Sequence, residues 1–366
     1  MTVDIVWRTL PLSIKEVSLA RVLRCGQTFR WKNMNNVWRF TTKDKIVLLR
    51  QDDTKIEYGC GGVINDQSGT LASSDAVLDA VLAFVTDYFN LAVKLEELYE
   101  EWGAVEKKYV KNSEMASFSF FPGIRMLRQD PWETVVLFIC LSNNNVKRIS
   151  KMCDSLCDEF GDFVCDFEGM PYHNFPGPEK LCDPSVEGRL RELGFGYRAK
   201  YIQQTAAMFM SPEYPDITLE SLAALREESY DTAHEYLLQL VGVGPKVADC
   251  ICLMALDKHD VVPVDTHVLQ IAVRDYKFKK PKIMNAKSYH EVRVHLQNLF
   301  GEYAGWAQLV MFAADLVDLN NGVNQVDGAK IKHEVAVSEE SEVQVSKSGK
   351  RTIVAKQTVK RIKVEA

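Results

Sequence analysis

Two glycines one residue apart, Gly242 and Gly244, stop one helical apolar pattern (Leu237, Leu238, Leu240) and start another (Val247, Ala248, Ile251, Leu253, Met254). The interruption is too short for anything but a tight turn, so the stretch reads as two helices joined by a glycine hairpin. Glycine accepts positive φ and, lacking a Cβ, lets another backbone approach. Pro245 suits the first helical turn, where its missing N–H costs nothing. Amides exposed at such a helix start, with the helix dipole behind them, attract an anion, and a phosphate is the expected visitor.

Lys246 and Asp265 could give this turn a chemical use. A lysine in the first turn of a helix sits against the positive end of the dipole, and partial burial adds to that, so a lowered pKa and a nucleophilic amine are expected. Asp265 follows Pro263-Val264 and precedes the periodic run Val268, Leu269, Ile271, Ala272, which marks it as an N-cap. The intervening helix and loop can return it to the neighbourhood of Lys246. An amine facing a carboxylate suits substitution through a cationic transition state, as at the anomeric carbon of a nucleoside. The plain alternative stays open on spacing alone: a solvated surface lysine and an aspartate that only caps.

The rest of the chain divides into three parts. From Ile5 to Cys60, short β-rich runs (37–42, 45–50, 55–60) alternate with turn clusters at Asn33–Asn36 and Gln51–Thr54, which predicts an antiparallel sheet. Cys25-Gly26-Gln27-Thr28-Phe29-Arg30-Trp31 reads as a bulge or strand start. From Ala76 to Tyr109 the period becomes helical, and beyond a polar linker at 111–113 the chain reads as nearly all helix to about Leu319. The expected class is α+β, with an N-terminal antiparallel sheet domain and its closing helices over 1–112 and a helical body over 113–320. After that, Glu339, Glu340 and Glu342 precede Lys347, Lys350, Arg351, Lys356, Lys360, Arg361 and Lys363, so 321–366 is expected to be a basic, disordered tail.

Composition narrows the classes. The longest strongly apolar run, Val135 to Leu141, is too short to span a bilayer, and no signal-peptide core precedes the sheet, so no membrane partner is expected. Nine cysteines without framework spacing point to reduced thiols in an intracellular compartment. A net charge of −6 argues against a polyanionic partner only if charge is spread evenly. A locally positive face on an acidic body is the alternative, and the hairpin grips phosphate with amides rather than cations.

The hairpin Val241-Gly242-Val243-Gly244, the Pro245-Lys246 pair after it and Val262-Pro263-Val264-Asp265-Thr266-His267 together resemble the helix-hairpin-helix DNA glycosylase superfamily. In that superfamily the lysine marks base-excising enzymes that also cleave the strand. The branch most resembled is the eukaryotic 8-oxoguanine glycosylases, over most of residues 1 to 320. One departure is Val241, where the family commonly has proline. Cys252 is the last cysteine, so the four-cysteine iron-sulfur cluster of glycosylases resembling endonuclease III has no ligands here.

The resemblance implies a helix-hairpin-helix glycosylase body and removal of 8-oxoguanine opposite cytosine from duplex DNA. Lys246 would be the nucleophile and Schiff-base former, with Asp265 beside it. Gly26 would offer its carbonyl to the proton that 8-oxoguanine, unlike guanine, carries at N7. Cys250, Met254, Gln308 and Phe312 would complete the base pocket. Asn143, Arg148, Tyr197 and Arg198 would hold the opposite cytosine and wedge the stack, while Gly242, Gly244 and His267 would face phosphate, with Asp315 supporting the histidine. No metal and no cofactor is implied, and a monomer in the nucleus, with the mitochondrion as a second destination, is expected. The alternatives are a helix-hairpin-helix module that only grips duplex DNA, or a related glycosylase for another damaged base.

Overall fold

Turns set the register of the N-terminal sheet. The computed structural model describes residues 5–43, 45–61, 75–110, 116–141, 144 and 146–315, together with the backbone of 338–345 and 351–358. Its first strands are Arg8–Leu10 (β1), Lys32–Met34 (β2), Val37–Thr42 (β3), Lys45–Gln51 (β4) and Ile56–Gly61 (β5), with one helical turn, Leu19–Val22 (α1), after β1. They form an antiparallel sheet in the order β1-β5-β4-β3-β2. Met34 faces Val37 across a two-residue turn in which Asn35 and Asn36 have φ of 52° and 62°, the left-handed pair that a tight hairpin needs. Asp52 closes the β4–β5 turn by accepting from the amides of Thr54 and Lys55 at 2.8 and 3.0 Å. The Cys25–Trp31 stretch is not a strand start as expected; Gly26 lies in a loop before β2.

Strand β4 runs Ile46-Val47-Leu48-Leu49, apolar at consecutive positions and wholly buried. Side chains alternate along a strand, so such a run needs a cover on each face. Val47 and Leu49 pack with Val81 and Val85 of the helix Asp75–Tyr88 (α2). Ile46 and Leu48 meet Phe167 and Tyr172, which belong to a second hairpin, Phe163–Phe167 (β6) and Met170–His173 (β7). This hairpin is a break in the stretch beyond residue 113, expected to be nearly all helix, that the sequence reading did not place. Glu168 and Gly169, at φ 50° and 76°, make a two-residue turn of the same kind as Asn35-Asn36.

The helices that follow α2 are Leu95–Tyr109 (α3), Ser117–Phe120 (α4), Pro131–Leu141 (α5), Val146–Phe160 (α6), Pro178–Leu181 (α7), Ser185–Glu192 (α8), Arg198–Met210 (α9), Leu219–Ala224 (α10), Tyr230–Leu238 (α11), Pro245–Ala255 (α12), Thr266–Asp275 (α13), Ala286–Phe300 (α14) and Ala304–Asp315 (α15). All of α5 except Leu141 is buried, because neighbours including α6, α9 and α12 surround it. That is why its apolar residues show no single face. None of the described helices is long and apolar enough to cross a membrane.

Residues 1–321 form one compact unit, and its larger core takes in Cys25, Phe29, Leu95 and Trp102 along with the helical body. The core therefore does not divide where the chain's composition does, at 112. In a separate unit, Ser338–Val345 (β8) and Arg351–Thr358 (β9) pair antiparallel. The expectation of a structureless tail is corrected over these two stretches. The register places Glu340 opposite Lys356 and Val343 opposite Ile353, and Val343, Val345, Ile353 and Val354 favour strand.

Candidate active site

The glycine hairpin has the predicted form. Gly242 has φ +84°, and a Cβ there would stand 2.7 Å from Cβ and Cγ of Tyr201, so both backbone conformation and space demand glycine. Thr205 Oγ1 donates to the Val241 carbonyl at 2.8 Å, which seats the turn on α9. Gly244 is the extended N-cap of α12 with Pro245 after it, leaving Lys246 in the first turn.

Asp265 caps α13 by accepting from the amides of His267 and Val268 at 3.0 and 2.9 Å. That fixes its carboxylate, and the geometry brings the two sequence-selected groups together: Lys246 Nζ lies 3.9 Å from Asp265 Oδ2, with the side chains 32% and 36% exposed. The expectation of a lowered lysine pKa is corrected. Burial does push the ammonium down, but the sulfur of Cys250 and the carboxylates of Asp265 and Asp249 outweigh it, and the pKa lies above the ordinary lysine value. Cys250 is itself buried, and desolvation pushes its thiol up.

Asp249 is a residue that sequence reasoning passed over. It is 0% exposed and holds three elements around the hairpin. Tyr230 of α11 donates to Oδ1 at 2.8 Å, while Tyr289 and Arg293 of α14 both donate to Oδ2. A buried carboxylate persists only when paired and hydrogen-bonded in this way. The available signal was an aspartate flanked by Ala248, Cys250, Ile251 and Cys252 on a helix buried nearly all round.

The candidate pocket residues come from three elements. Gly26, at φ +90°, is held by Gln27, whose Nε2 donates to the Arg125 carbonyl at 3.0 Å and whose Oε1 accepts from the Leu127 amide at 3.0 Å. Gln129 then links the Gln27 carbonyl, at 2.6 Å from its Nε2, with the Met254 carbonyl, at 3.0 Å from its amide. The Gly26 loop and the end of α12 are thus joined through one residue. Helix α15 closes on α12 at Gly305, where a Cβ would lie 2.3 Å from the Val261 carbonyl and 2.5 Å from Leu253 Cδ1. Gln308 is buried and Phe312 half-buried. The Phe312 ring packs edge-on against His267 with centroids 5.1 Å apart, and His267 Nε2 stands 3.3 Å from Asp315 Oδ2. Arg274 donates to both Asp315 oxygens, at 3.0 and 3.1 Å.

The residues expected to meet the opposite strand gather at the start of α9. Gly194 and Gly196 have φ +88° and +60° and present Tyr197, 44% exposed, as an outward tip. Arg148 reaches this turn and donates to the Gly194 carbonyl at 2.9 Å. Arg198, expected to read the cytosine edge, is buried, with its guanidinium 4.6 Å from the Tyr197 ring centroid. Tyr197 in turn packs on Tyr201, centroids 5.8 Å apart, the residue against Gly242. Wedge and hairpin therefore share a support. Asn143 lies outside the described residues.

Both the sheet-bearing part of the chain and the helical part match known protein families. Residues 9–135 match the family described as 8-oxoguanine DNA glycosylase, N-terminal domain, and residues 136–301 match the HhH-GPD superfamily base excision DNA repair protein. The chain is 37% identical over 340 residues to the N-glycosylase/DNA lyase of Saccharomyces cerevisiae, covering 84% of this chain and 85% of that one. It is also 37% identical over 317 residues to the Arabidopsis thaliana N-glycosylase/DNA lyase OGG1, covering 85% and 80%. Among solved structures, the Clostridium acetobutylicum 8-oxoguanine glycosylase/lyase in complex with double-stranded DNA containing cytosine opposite 8-oxoguanine superposes with a TM-score of 0.66 at 25% identity, covering 88% of this chain and 99% of that one. A lysine and a carboxylate facing each other beside a glycine hairpin are thus found in a chain that belongs to the 8-oxoguanine DNA glycosylase family of helix-hairpin-helix base-excision repair enzymes, the bifunctional N-glycosylase/DNA lyases.

Proposed function

We propose that the protein excises 8-oxoguanine opposite cytosine and that Lys246 carries out both steps. The observation that carries this reading is the Lys246 Nζ to Asp265 Oδ2 separation of 3.9 Å at the mouth of the hairpin. The neutral amine attacks C1′ as the glycosidic bond breaks with its electron pair on the departing base; the nitrogen gives up one of its two protons, which the base takes up, and the C1′–O4′ bond then opens, O4′ taking a proton from water, to leave an iminium that keeps the other. Loss of a C2′ proton then expels the 3′ phosphate by β-elimination, and water releases the lysine. Positive charge develops at C1′ beside Asp265, where a fixed carboxylate stabilises it without reorganisation.

Gly26, Cys250, Met254, Gln308 and Phe312 form the lesion pocket in this reading, and Phe312 stacks on the extruded base. A carbonyl from the Gly26 loop accepts the N7 proton of 8-oxoguanine and repels the N7 lone pair of guanine. Tyr197 wedges the duplex, Arg148, Arg198 and Asn143 hold the widowed cytosine, and Gly242, Gly244 and His267 meet phosphate. The protein acts as a monomer in the nucleus, with the mitochondrion a second destination. Sedimentation of the free protein tests the first statement, and imaging of fusions with and without residues 321–366 the second.

The central test is incubation with duplexes carrying 8-oxoguanine opposite each normal base, with and without borohydride. A trapped adduct and a 3′ nick, strongest opposite cytosine, are expected. Equal processing of every pairing would reject the cytosine assignment.

A further inference from the structure

The connection between α13 and α14 carries Lys277, Lys279, Lys280 and Lys282, with Lys287 at the start of α14, and the eleven residues from 277 to 287 contain no acid, in a chain of net charge −6. Two of these cations have other contacts: Lys277 lies 5.4 Å from the Tyr109 ring centroid, and Lys287 is 3.9 Å from Glu291. Among the described residues no acidic side chain pairs with Lys279, Lys280 or Lys282, and all three are exposed. Beside them Ile283 is 73% exposed and Met284 38%.

The loop is held at both ends. Tyr276, which precedes it, is buried, and Phe278 packs on His295 with centroids 5.3 Å apart. At the far end Asn285 caps α14 in a reciprocal pair with Ser288, at 2.8 and 3.0 Å. This second anchor also fixes direction. Asn285 is one helical turn, roughly 6 Å of rise, before Tyr289, and the Tyr289 hydroxyl accepts from the Val264 amide at 3.1 Å, one residue before Asp265. The chain leaves the far end of α13 and comes back toward the end that holds Asp265, with its lysines on the return.

We infer that this lysine loop is a second duplex-DNA contact, gripping the phosphate backbone away from the extruded base. The inference rests on the duplex-DNA reading above. It supplies the positive face that an acidic protein needs, since the hairpin amides give position and little long-range attraction, whereas lysines that displace counterions dominate sequence-independent affinity.

Binding of a lesion-free duplex over a range of salt concentrations tests it, using the full chain and a K279Q/K280Q/K282Q variant. Every phosphate that is no longer neutralised by a lysine lowers the slope of log affinity against log salt by about 0.9, so the slope should fall by roughly 0.9 to 2.7, while single-turnover excision at saturating lesion duplex stays at the parental rate. The K279R/K280R/K282R variant should keep the parental slope. A slope unchanged in the glutamine variant overturns the proposal and leaves the loop for an acidic protein partner. An equal fall from neutralising Lys94, just before α3, and Lys107 and Lys108 on it also overturns it, since net charge and not the loop would then be responsible. If the parent binds duplex but excises nothing, the catalytic reading fails while the slope comparison still decides the loop.

Discussion

Asp265 has two duties that a pair of substitutions should separate. As a cap it accepts two amide hydrogen bonds at 3.0 and 2.9 Å; as a charge it faces Lys246 at 3.9 Å. Asparagine caps a helix about as well as aspartate, whereas alanine costs about 1 kcal/mol, with a range of about 0.5 to 2. The ion pair adds little to stability. Two unit charges about 4 Å apart interact by about 4 kcal/mol at an effective dielectric of 20 and about 1 kcal/mol in water, and with each side chain about a third exposed the net contribution falls to about 0 to 1 kcal/mol. Asp265→Asn should therefore unfold within about 1 kcal/mol of the parent, and Asp265→Ala about 1 to 2 kcal/mol below it. Excision should drop in both by about a hundredfold to a thousandfold, the scale of losing a preorganised group aimed at developing charge. Asp265 is also one of the groups that raise the Lys246 pKa. Excision depends on the neutral amine and rises with pH toward that pKa, so the residual activity of the asparagine variant should reach its plateau at lower pH. Thermal unfolding and single-turnover excision across pH measure all three. An asparagine variant that excises at the parental rate, or one as unstable as the alanine variant, would refute the division of labour.

Lys246→Gln should bind lesion duplex and form no borohydride-trapped adduct; trapping at the parental rate moves the nucleophile elsewhere. Phe312→Ala should weaken lesion affinity by about 1 to 3 kcal/mol, the scale of one base-aromatic stack, and unchanged discrimination of 8-oxoguanine from guanine in a competition assay argues against stacking. Glu106, buried while accepting from the Ser117 amide at 2.7 Å, has its pKa raised by that burial to about 6 from 4.5. The folded state therefore binds this proton first, and stability falls as pH rises from about 4.5 to about 6, by about 2 kcal/mol for this group. Glu106→Gln should flatten that part of a denaturation-versus-pH curve, and an unchanged slope there assigns the dependence to other groups.

Where structure was written locally, the sequence was readable. The hairpin glycines, the Pro245 start, the Asp265 cap and the asparagine turn between β2 and β3 each depend on a few adjacent residues whose φ preference or capping ability settles the matter. What escaped reading depends on partners far along the chain. Ile46 and Leu48 are apolar because β6 and β7, more than a hundred residues later, cover them, and the Glu168-Gly169 turn between those strands sits inside a helical context that hides its alternation. Asp249 escaped for the same reason: its partners Tyr230, Tyr289 and Arg293 lie 19 to 44 residues away. The glycines at 194 and 196 announce an exposed tip, and Tyr197 takes it, but that Arg198 is buried depends on packing that the local sequence does not state.

The lysine itself was misjudged because a helix start and burial both lower an amine's pKa, and neither argument could see what sits opposite. Carboxylates and sulfur around Nζ reverse the sign. With a pKa above the ordinary lysine value, the amine is held in its charged form more firmly than a free lysine. Depressed basicity therefore cannot be how this site makes a nucleophile. Placement can offset it: a well-oriented reacting pair reaches effective molarities of about 10⁵ to 10⁸ M, equivalent to about 7 to 11 kcal/mol. The framework that sets that placement is the one that escaped the sequence: Asp249 ties α12 to α11 and α14, and Tyr289 ties the same carboxylate to the backbone just before Asp265. Lys246 and Asp265 thus hang from one buried anion, and in the proposed reaction the acid that raises the amine's pKa in the free protein is the group that stabilises the cation once the base has left.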